Sequence, residues 1–175
     1  MIQKLDKRWF GEMFAIMCEA FPESEYRMKQ EQYRLFELSQ YEVFGVVEQG
    51  QLCAFLAAWD LGCVRFGEHL ATLHTMRNHG LGAKLFRFYE QLSATPLVFE
   101  VELPETELAK RRIGFYERLG YHYYGDIPYF QGSFHAGQER LALRLMMNDA
   151  HVERIEMDRI IDLIYQNVYH QDRDF

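Results

Sequence analysis

The chain has 175 residues, a net charge of -7 at neutral pH, and about half of its residues apolar with many aromatics, a length that suits one well-buried core and is short for two domains. This composition excludes a disordered chain, the acidic balance argues against a nucleic-acid platform, and no apolar run approaches the ~18 residues of a membrane span. Cys18, Cys53 and Cys63 are odd in number and lack C-x-x-C spacing, so neither a disulfide framework nor a zinc cluster is expected, and with no long apolar core in the first residues a cytoplasmic setting is the expectation.

Taken in order, residues 1–6 form a short candidate strand, and residues 9–20 read as a helix because Phe10, Met13, Phe14 and Met17 recur along one side. Phe21-Pro22-Glu23-Ser24 breaks it, and residues 25–38 read as a second helix carrying Met28, Tyr33, Leu35, Phe36 and Leu38. The β-prone runs 41–47 and 52–59 flank Glu48-Gln49-Gly50-Gln51, the pattern of a hairpin. A turn at Asp60-Leu61-Gly62 leads into a strand over 63–73, which completes an antiparallel meander. Period-2 alternation along this strand places Val64, Phe66, Glu68, Leu70 and Thr72 on one face and Arg65, Gly67, His69, Ala71 and Leu73 on the other. Glu68 is then a mid-strand carboxylate between apolar neighbours, where a structural role needs a partner to offset desolvation.

The stretch Arg77-Asn78-His79-Gly80-Leu81-Gly82-Ala83-Lys84 opens a helix over 81–92, whose Leu81, Leu85, Phe88 and Leu92 recur at helical spacing. Strand, glycine turn, helix is the order in which a helix N-terminus becomes an anion site, because its first amides have no intrahelical partner and the dipole adds positive potential. Gly80 and Gly82 leave no side chain over those amides, and Arg77 adds a forked donor. A dinucleotide fingerprint would need a glycine where Leu85 stands, and a nucleotide P-loop needs Gly-Lys-Ser/Thr where the chain has Ala83-Lys84-Leu85. Cys63, His69, His74 and His79 have the spacing of no familiar ligand set, so no metal is expected.

Further on, residues 97–102 read as a strand, 105–119 as a helix with Leu108, Phe115 and Leu119 on its core face, and 121–130 as a tyrosine-rich strand interrupted by Asp126-Ile127-Pro128. A glycine-containing loop over 131–138 leads to a last strand over 140–147. Residues 149–169 form an amphipathic helix with Met157, Ile160, Ile161, Ile164 and Val168 on one stripe. It packs on its own domain or makes a homodimer contact; its acidic surroundings disfavour a membrane. The expected organisation is one domain over 1–148 with the helix of 149–175 appended to it.

The R-x-x-G-x-G spacing of residues 77–82 resembles the acyl-coenzyme A pyrophosphate loop of the GNAT superfamily of N-acetyltransferases. Phe115-Tyr116-Glu117-Arg118-Leu119-Gly120-Tyr121 resembles that superfamily's second recurring stretch, a helix and then Gly-aromatic into a strand. The resemblance implies an α/β (α+β) fold with a mixed, mostly antiparallel central sheet of about six to seven strands flanked by helices. It further implies direct transfer of an acetyl group from acetyl-CoA to a primary amine, on a small molecule or a peptide, in a ternary complex. By the same resemblance Arg77, Asn78, His79, Gly80, Leu81, Gly82 and Ala83 would hold the carrier's diphosphate. The main chain of Leu70, Ala71 and Thr72 would meet the thioester region, and Phe115 would add to the carrier's site. Glu68 matches a position at which relatives carry a general base, with a structural salt bridge or a rim charge as the other reading. Tyr116 matches a tyrosine near the thioester sulfur, with a packed aromatic as the other reading. His69 and His74 are alternative bases, and His79 is expected to be exposed. The first two helices would flank the acceptor groove and bring Glu23, Glu25 and Arg27 toward substrate; solvated charges are the alternative. The chain departs from the superfamily at Glu105-Thr106-Glu107, where relatives often carry an asparagine. Two other functions stay open, a non-catalytic acyl-CoA-binding module and a partner-binding protein that uses its last helix.

Overall fold

A computed structural model describes residues 1–173 and Phe175. Its eight strands form an open, mostly antiparallel sheet flanked by helices. Backbone contacts group the chain into two compact units, Met1–Asp60 with Gly67–Ala94, and Leu61–Phe66 with Thr95–Phe175.

In the first unit β1 (Ile2–Lys4) pairs with β2 (Tyr41–Glu48), and β2 pairs with β3 (Gln51–Asp60), both antiparallel. The β2–β3 turn falls on Gln49 and Gly50, both at positive φ, as a tight two-residue hairpin requires. Every residue of β3 from Leu52 to Trp59 is buried, so the strand reads as a continuous apolar run without alternation. Helix α1 (Phe10–Ala20) buries Phe10, Met13, Ile16 and Met17, and it stops at an extended Phe21 because the following Pro22 disfavours the α region there. The expected helix over 25–38 is broken up. Glu23–Glu25 is a 3-10 turn, Tyr26 is extended, α2 covers only Lys29–Arg34, and a second 3-10 turn follows over Leu35–Glu37. The break begun at Pro22 thus extends as far as Met28, further than helical spacing indicates. Strand β4 (Arg65–Thr72), from Gly67 onward, and helix α3 (Leu81–Gln91) complete the unit, and α3 buries Leu81, Leu85, Phe86 and Tyr89.

In the second unit β5 (Leu97–Glu102) pairs antiparallel with β8 (Leu141–Met147), and β8 also takes β6 (His122–Tyr123) and β7 (Tyr129–Gln131). The tyrosine-rich segment is therefore two short strands instead of one, which raises the count to eight. Helix α4 (Glu107–Glu117) starts at Thr106, whose hydroxyl accepts from the Ala109 amide, and buries Ala109 and Ile113. Leu108, expected on the core face, is 64% exposed. Helix α5 (Arg154–Ile164) runs into a π-helical turn over Tyr165–Tyr169, and Met157, Ile160, Ile161, Ile164 and Val168 are buried as the stripe predicts. Among the described residues no helix is long and apolar enough to cross a membrane.

Candidate active site

The glycine loop has the form the sequence predicts. After β4 a 3-10 turn over His74–Met76 ends at an extended Arg77; Asn78 and Gly80 then take positive φ, and Gly80 is the residue before the first turn of α3. A non-glycine residue at Gly80 would carry left-handed strain of about 1–2 kcal/mol. No side chain caps α3 and its first turn has no acidic residue, so its leading amides and positive dipole end are not answered by a local carboxylate. Arg77, Asn78, His79 and Gly80 are exposed, while Leu81 is buried and Gly82 and Ala83 are half-buried. A β-carbon on Gly82 would lie 3.6 Å from Thr72 Oγ1 and 3.8 Å from Leu70 Cδ2. The end of β4 and the start of α3 are thus joined side by side, which brings Leu70, Thr72, Gly80 and Gly82 together with Ala71 buried between the first two.

Leu70 and Thr72 meet α3, as above, whereas Glu68 and His69 both meet the segment between α1 and α2. One Glu68 oxygen accepts from Arg27 Nη1 at 2.6 Å and the other from Trp59 Nε1 at 2.9 Å. Both partners in the ion pair are almost fully buried, with side-chain exposures of 9% and 2%. The Arg27 guanidinium also lies over the Trp59 ring at 5.6 Å. Arg27, read from sequence as a candidate for the acceptor groove or a solvated charge, is a buried partner of Glu68. Burial raises the Glu68 pKa, but the charge of Arg27, the neighbouring His69 ring and the bonds from Trp59 and Arg27 outweigh it, and the carboxyl stays below its usual range.

His69 is 3% exposed, with its ring edge-on to Phe21 at 5.0 Å. Its Nε2 lies 2.8 Å from the Glu25 carbonyl oxygen, which can only accept, so this nitrogen carries the proton. Burial lowers the pKa of His69 against the pull of Glu68 and of the Glu25 carbonyl. In the neutral ring Nδ1 is then a bare lone pair. It is buried, has no hydrogen-bond partner, and lies 3.7 Å from Glu68 Oε2. Next to this group, Gln32 Nε2 donates to Tyr41 Oη at 2.9 Å, and burial raises the pKa of Tyr41.

Phe115 and Tyr116 sit on α4 in the second unit. Tyr116 packs against Phe99 at 4.4 Å and beside Phe115 at 5.2 Å. Burial raises its pKa and Arg112 opposes this only partly, so the phenol keeps its proton at neutral pH. The second unit also contains a carboxylate cluster that sequence reasoning missed. Glu100 Oε1 accepts from the hydroxyls of both Tyr129 and Tyr169, the latter at 2.6 Å, and Oε2 accepts from Gln131 Nε2 at 3.3 Å. Among the described residues no three His, Cys, Asp or Glu side chains are grouped to hold a metal ion.

Residues 39–123, from just before β2 through β6, match the family model of the acetyltransferase (GNAT) domain. The chain is an acyltransferase carrying a GNAT acetyltransferase domain. A structure from Bacteroides thetaiotaomicron assigned to the GNAT acetyltransferase family is similar over 97% of this chain and 98% of that one, with 26% identity and a TM-score of 0.88. The ribosomal-protein-S18-alanine N-acetyltransferase of Escherichia coli matches 84% of this chain and 91% of its own, at 18% identity and a TM-score of 0.64. An aminoglycoside 6'-N-acetyltransferase complexed with coenzyme A matches 84% and 95%, at 17% identity and a TM-score of 0.61. These last two likenesses speak for the fold. Among curated proteins none matches the sequence.

Proposed function

We propose that the chain is an N-acetyltransferase that moves an acetyl group from acetyl-CoA directly to a primary amine of a small molecule or peptide in the cytoplasm. The observation that carries this reading is the uncapped start of α3 behind Gly80, with Leu70 and Thr72 beneath Gly82. A diphosphate fits there because unanswered amides and the helix dipole face an open turn. Arg77, Asn78, His79, Gly80, Leu81, Gly82 and Ala83 would hold it, Phe115 is assigned to the carrier by resemblance, and bound acetyl-CoA would supply the activated thioester.

The chain's own residues then handle charge and protons. An alkyl ammonium with a pKa of ~10.4 costs roughly 4–5 kcal/mol to deprotonate at neutral pH. Glu68 is assigned to receive that proton, directly or through water, and Arg27 and Trp59 hold it ionised and oriented for this. Main-chain amides of Leu70, Ala71 and Thr72 are assigned to the carbonyl oxygen that gains charge. Tyr116, which retains its proton, is assigned to protonate the departing thiolate. The cysteines are given no role, because direct transfer needs no covalent intermediate; Cys53 is buried and donates to the Gln51 carbonyl.

Thermal-shift titration with acetyl-CoA tests the loop assignment. Saturation of the wild type at roughly 100 times Kd stabilises it by about 2.7 kcal/mol, and Gly82→Trp, which fills the cradle, abolishes the shift while keeping its own cooperative melt. A Gly82→Trp shift equal to that of the wild type would overturn the assignment. Thiol release across a panel of amines then identifies the acceptor.

A further inference from the structure

The Glu68 site poses a chemical problem that its geometry also answers. Both carboxylate oxygens already accept a donor, and the Arg27 guanidinium holds the group in its charged form. Such a carboxylate attracts a proton but keeps it poorly. Beside it lies His69 Nδ1, a lone pair without a donor in a fully buried ring, 3.7 Å from Glu68 Oε2. A buried acceptor with nothing to accept is unusual and costs free energy. The ring cannot relieve this by switching tautomer, since Nε2 would then give up its proton while facing the Glu25 carbonyl at 2.8 Å.

We propose that Glu68 and His69 form a proton-accepting pair, in which the proton drawn from the acceptor amine toward Glu68 comes to rest on His69 Nδ1. The inference rests on the reading of Glu68 as base and deepens it. The ammonium N–H bond breaks and its electron pair stays on the amine nitrogen. A new N–H bond forms at Nδ1, and the pair passes from carboxylate and neutral imidazole to carboxylate and imidazolium. No other reactant is needed. The imidazolium is held on both sides, by Glu68 Oε2 at Nδ1 and by the Glu25 carbonyl at Nε2. It later returns the proton to solvent. The groups facing the pair are Arg27 from the segment after α1, Trp59 from β3 and the Tyr41 hydroxyl from β2. Of these, only Arg27 is charged at neutral pH and opposes a second positive charge, which limits how long the proton stays. His69 acts through Glu68 and not on substrate, so it is a positioning residue with a proton-holding role.

Two measurements on the full chain test this. In 15N-histidine NMR spectra, with His69 assigned by its loss in His69→Gln, the apo protein shows the Nε2–H tautomer at neutral pH, and Glu68→Gln moves the His69 midpoint further down. An Nδ1–H tautomer, or a midpoint indifferent to Glu68→Gln, overturns the pair. Hydrolysis of acetyl-CoA gives the second readout, since the attacking water must also lose a proton. His69→Gln retains a donor toward Glu25 but cannot be protonated. It removes the acid limb of the pH–rate profile and lowers kcat toward the roughly 100-fold loss of a missing acid–base group, with the acetyl-CoA thermal shift intact. An unchanged acid limb and kcat overturn the proposal. A wild-type chain with no acetyl-CoA shift would instead defeat the acyl-CoA reading, and the NMR result would still decide the pair.

Discussion

At the scale of residues, the Arg27–Glu68 pair controls both charge and fold in the first unit. Glu68 has a folded pKa below its ordinary value, so its contribution to stability is present above the unfolded pKa of ~4.3 and is lost as pH falls through the lower folded value. Arg27→Met removes the cation and leaves a buried carboxylate uncompensated, at a cost of about 3–5 kcal/mol near pH 7. In that variant burial dominates and lifts the Glu68 pKa above its unfolded value, so the sign reverses. The variant regains stability relative to wild type as pH drops from about 7 to about 5. Melting curves of both proteins across this range check it; a gap in Tm that stays constant would show that Glu68 is not the group responsible. That Glu68 needs a partner is legible in the sequence, from a carboxylate amid apolar strand neighbours. Which partner is not, because Arg27 lies 41 residues away in a segment whose charges look solvated. The same segment collects two neighbours on β4, since the Phe21 ring and the Glu25 carbonyl meet His69 while Arg27 meets Glu68, and a period-2 pattern cannot encode such contacts.

At the scale of elements, the last helix is fixed by hydroxyls as well as by its apolar stripe. The Tyr169 hydroxyl reaches Glu100 on β5 at 2.6 Å, the Tyr165 hydroxyl donates to the Phe130 carbonyl on β7 at 2.6 Å, and Gln171 Nε2 donates to the Ser133 carbonyl at 2.7 Å. Close approach makes this possible at Gly132, where a β-carbon would fall 2.7 Å from both Cβ and Cδ1 of Tyr169. Those atoms belong to the root of the side chain and cannot swing aside. Gly132→Ala is therefore expected to cost about 1–3 kcal/mol, read as a lowered urea midpoint, and Tyr169→Ala in the same chain should recover the clash component while losing the hydroxyl bond. Additive losses in the double variant would mean that the two positions do not meet. The stripe itself is readable from 3.6-residue periodicity, and so is the strand–loop–helix around Gly80. Periodicity fails for α4, where Ala109 and Ile113 are the buried positions and Leu108 faces solvent. A buried alanine and a single buried isoleucine give little signal beside an exposed leucine of the same size as that isoleucine.

At the scale of the molecule, the question is whether residues 149–175 decorate the acetyltransferase domain or complete it. The family model ends at residue 123, which by itself would allow the chain to stop well before the last helix. Burial argues otherwise. Met157, Ile160, Ile161, Ile164, Tyr165, Val168 and Tyr169 are all buried, and at about 1.5–3 kcal/mol per side chain their exposure would remove roughly 10–20 kcal/mol of apolar stabilisation. Part of this is offset by the entropy regained when the segment is released. The remainder is still comparable to the whole net stability of a typical protein, about 5–15 kcal/mol. Truncation at residue 148 also strands Glu100, which loses its bond from Tyr169. We therefore expect a chain of residues 1–148 to lose the cooperative melt of the second unit, measured by differential scanning calorimetry, and not merely to melt a few degrees lower. A truncated chain that melts in one sharp transition and still takes up acetyl-CoA would make the segment an appendage, and its tyrosine contacts would then be a consequence of docking instead of a condition for folding.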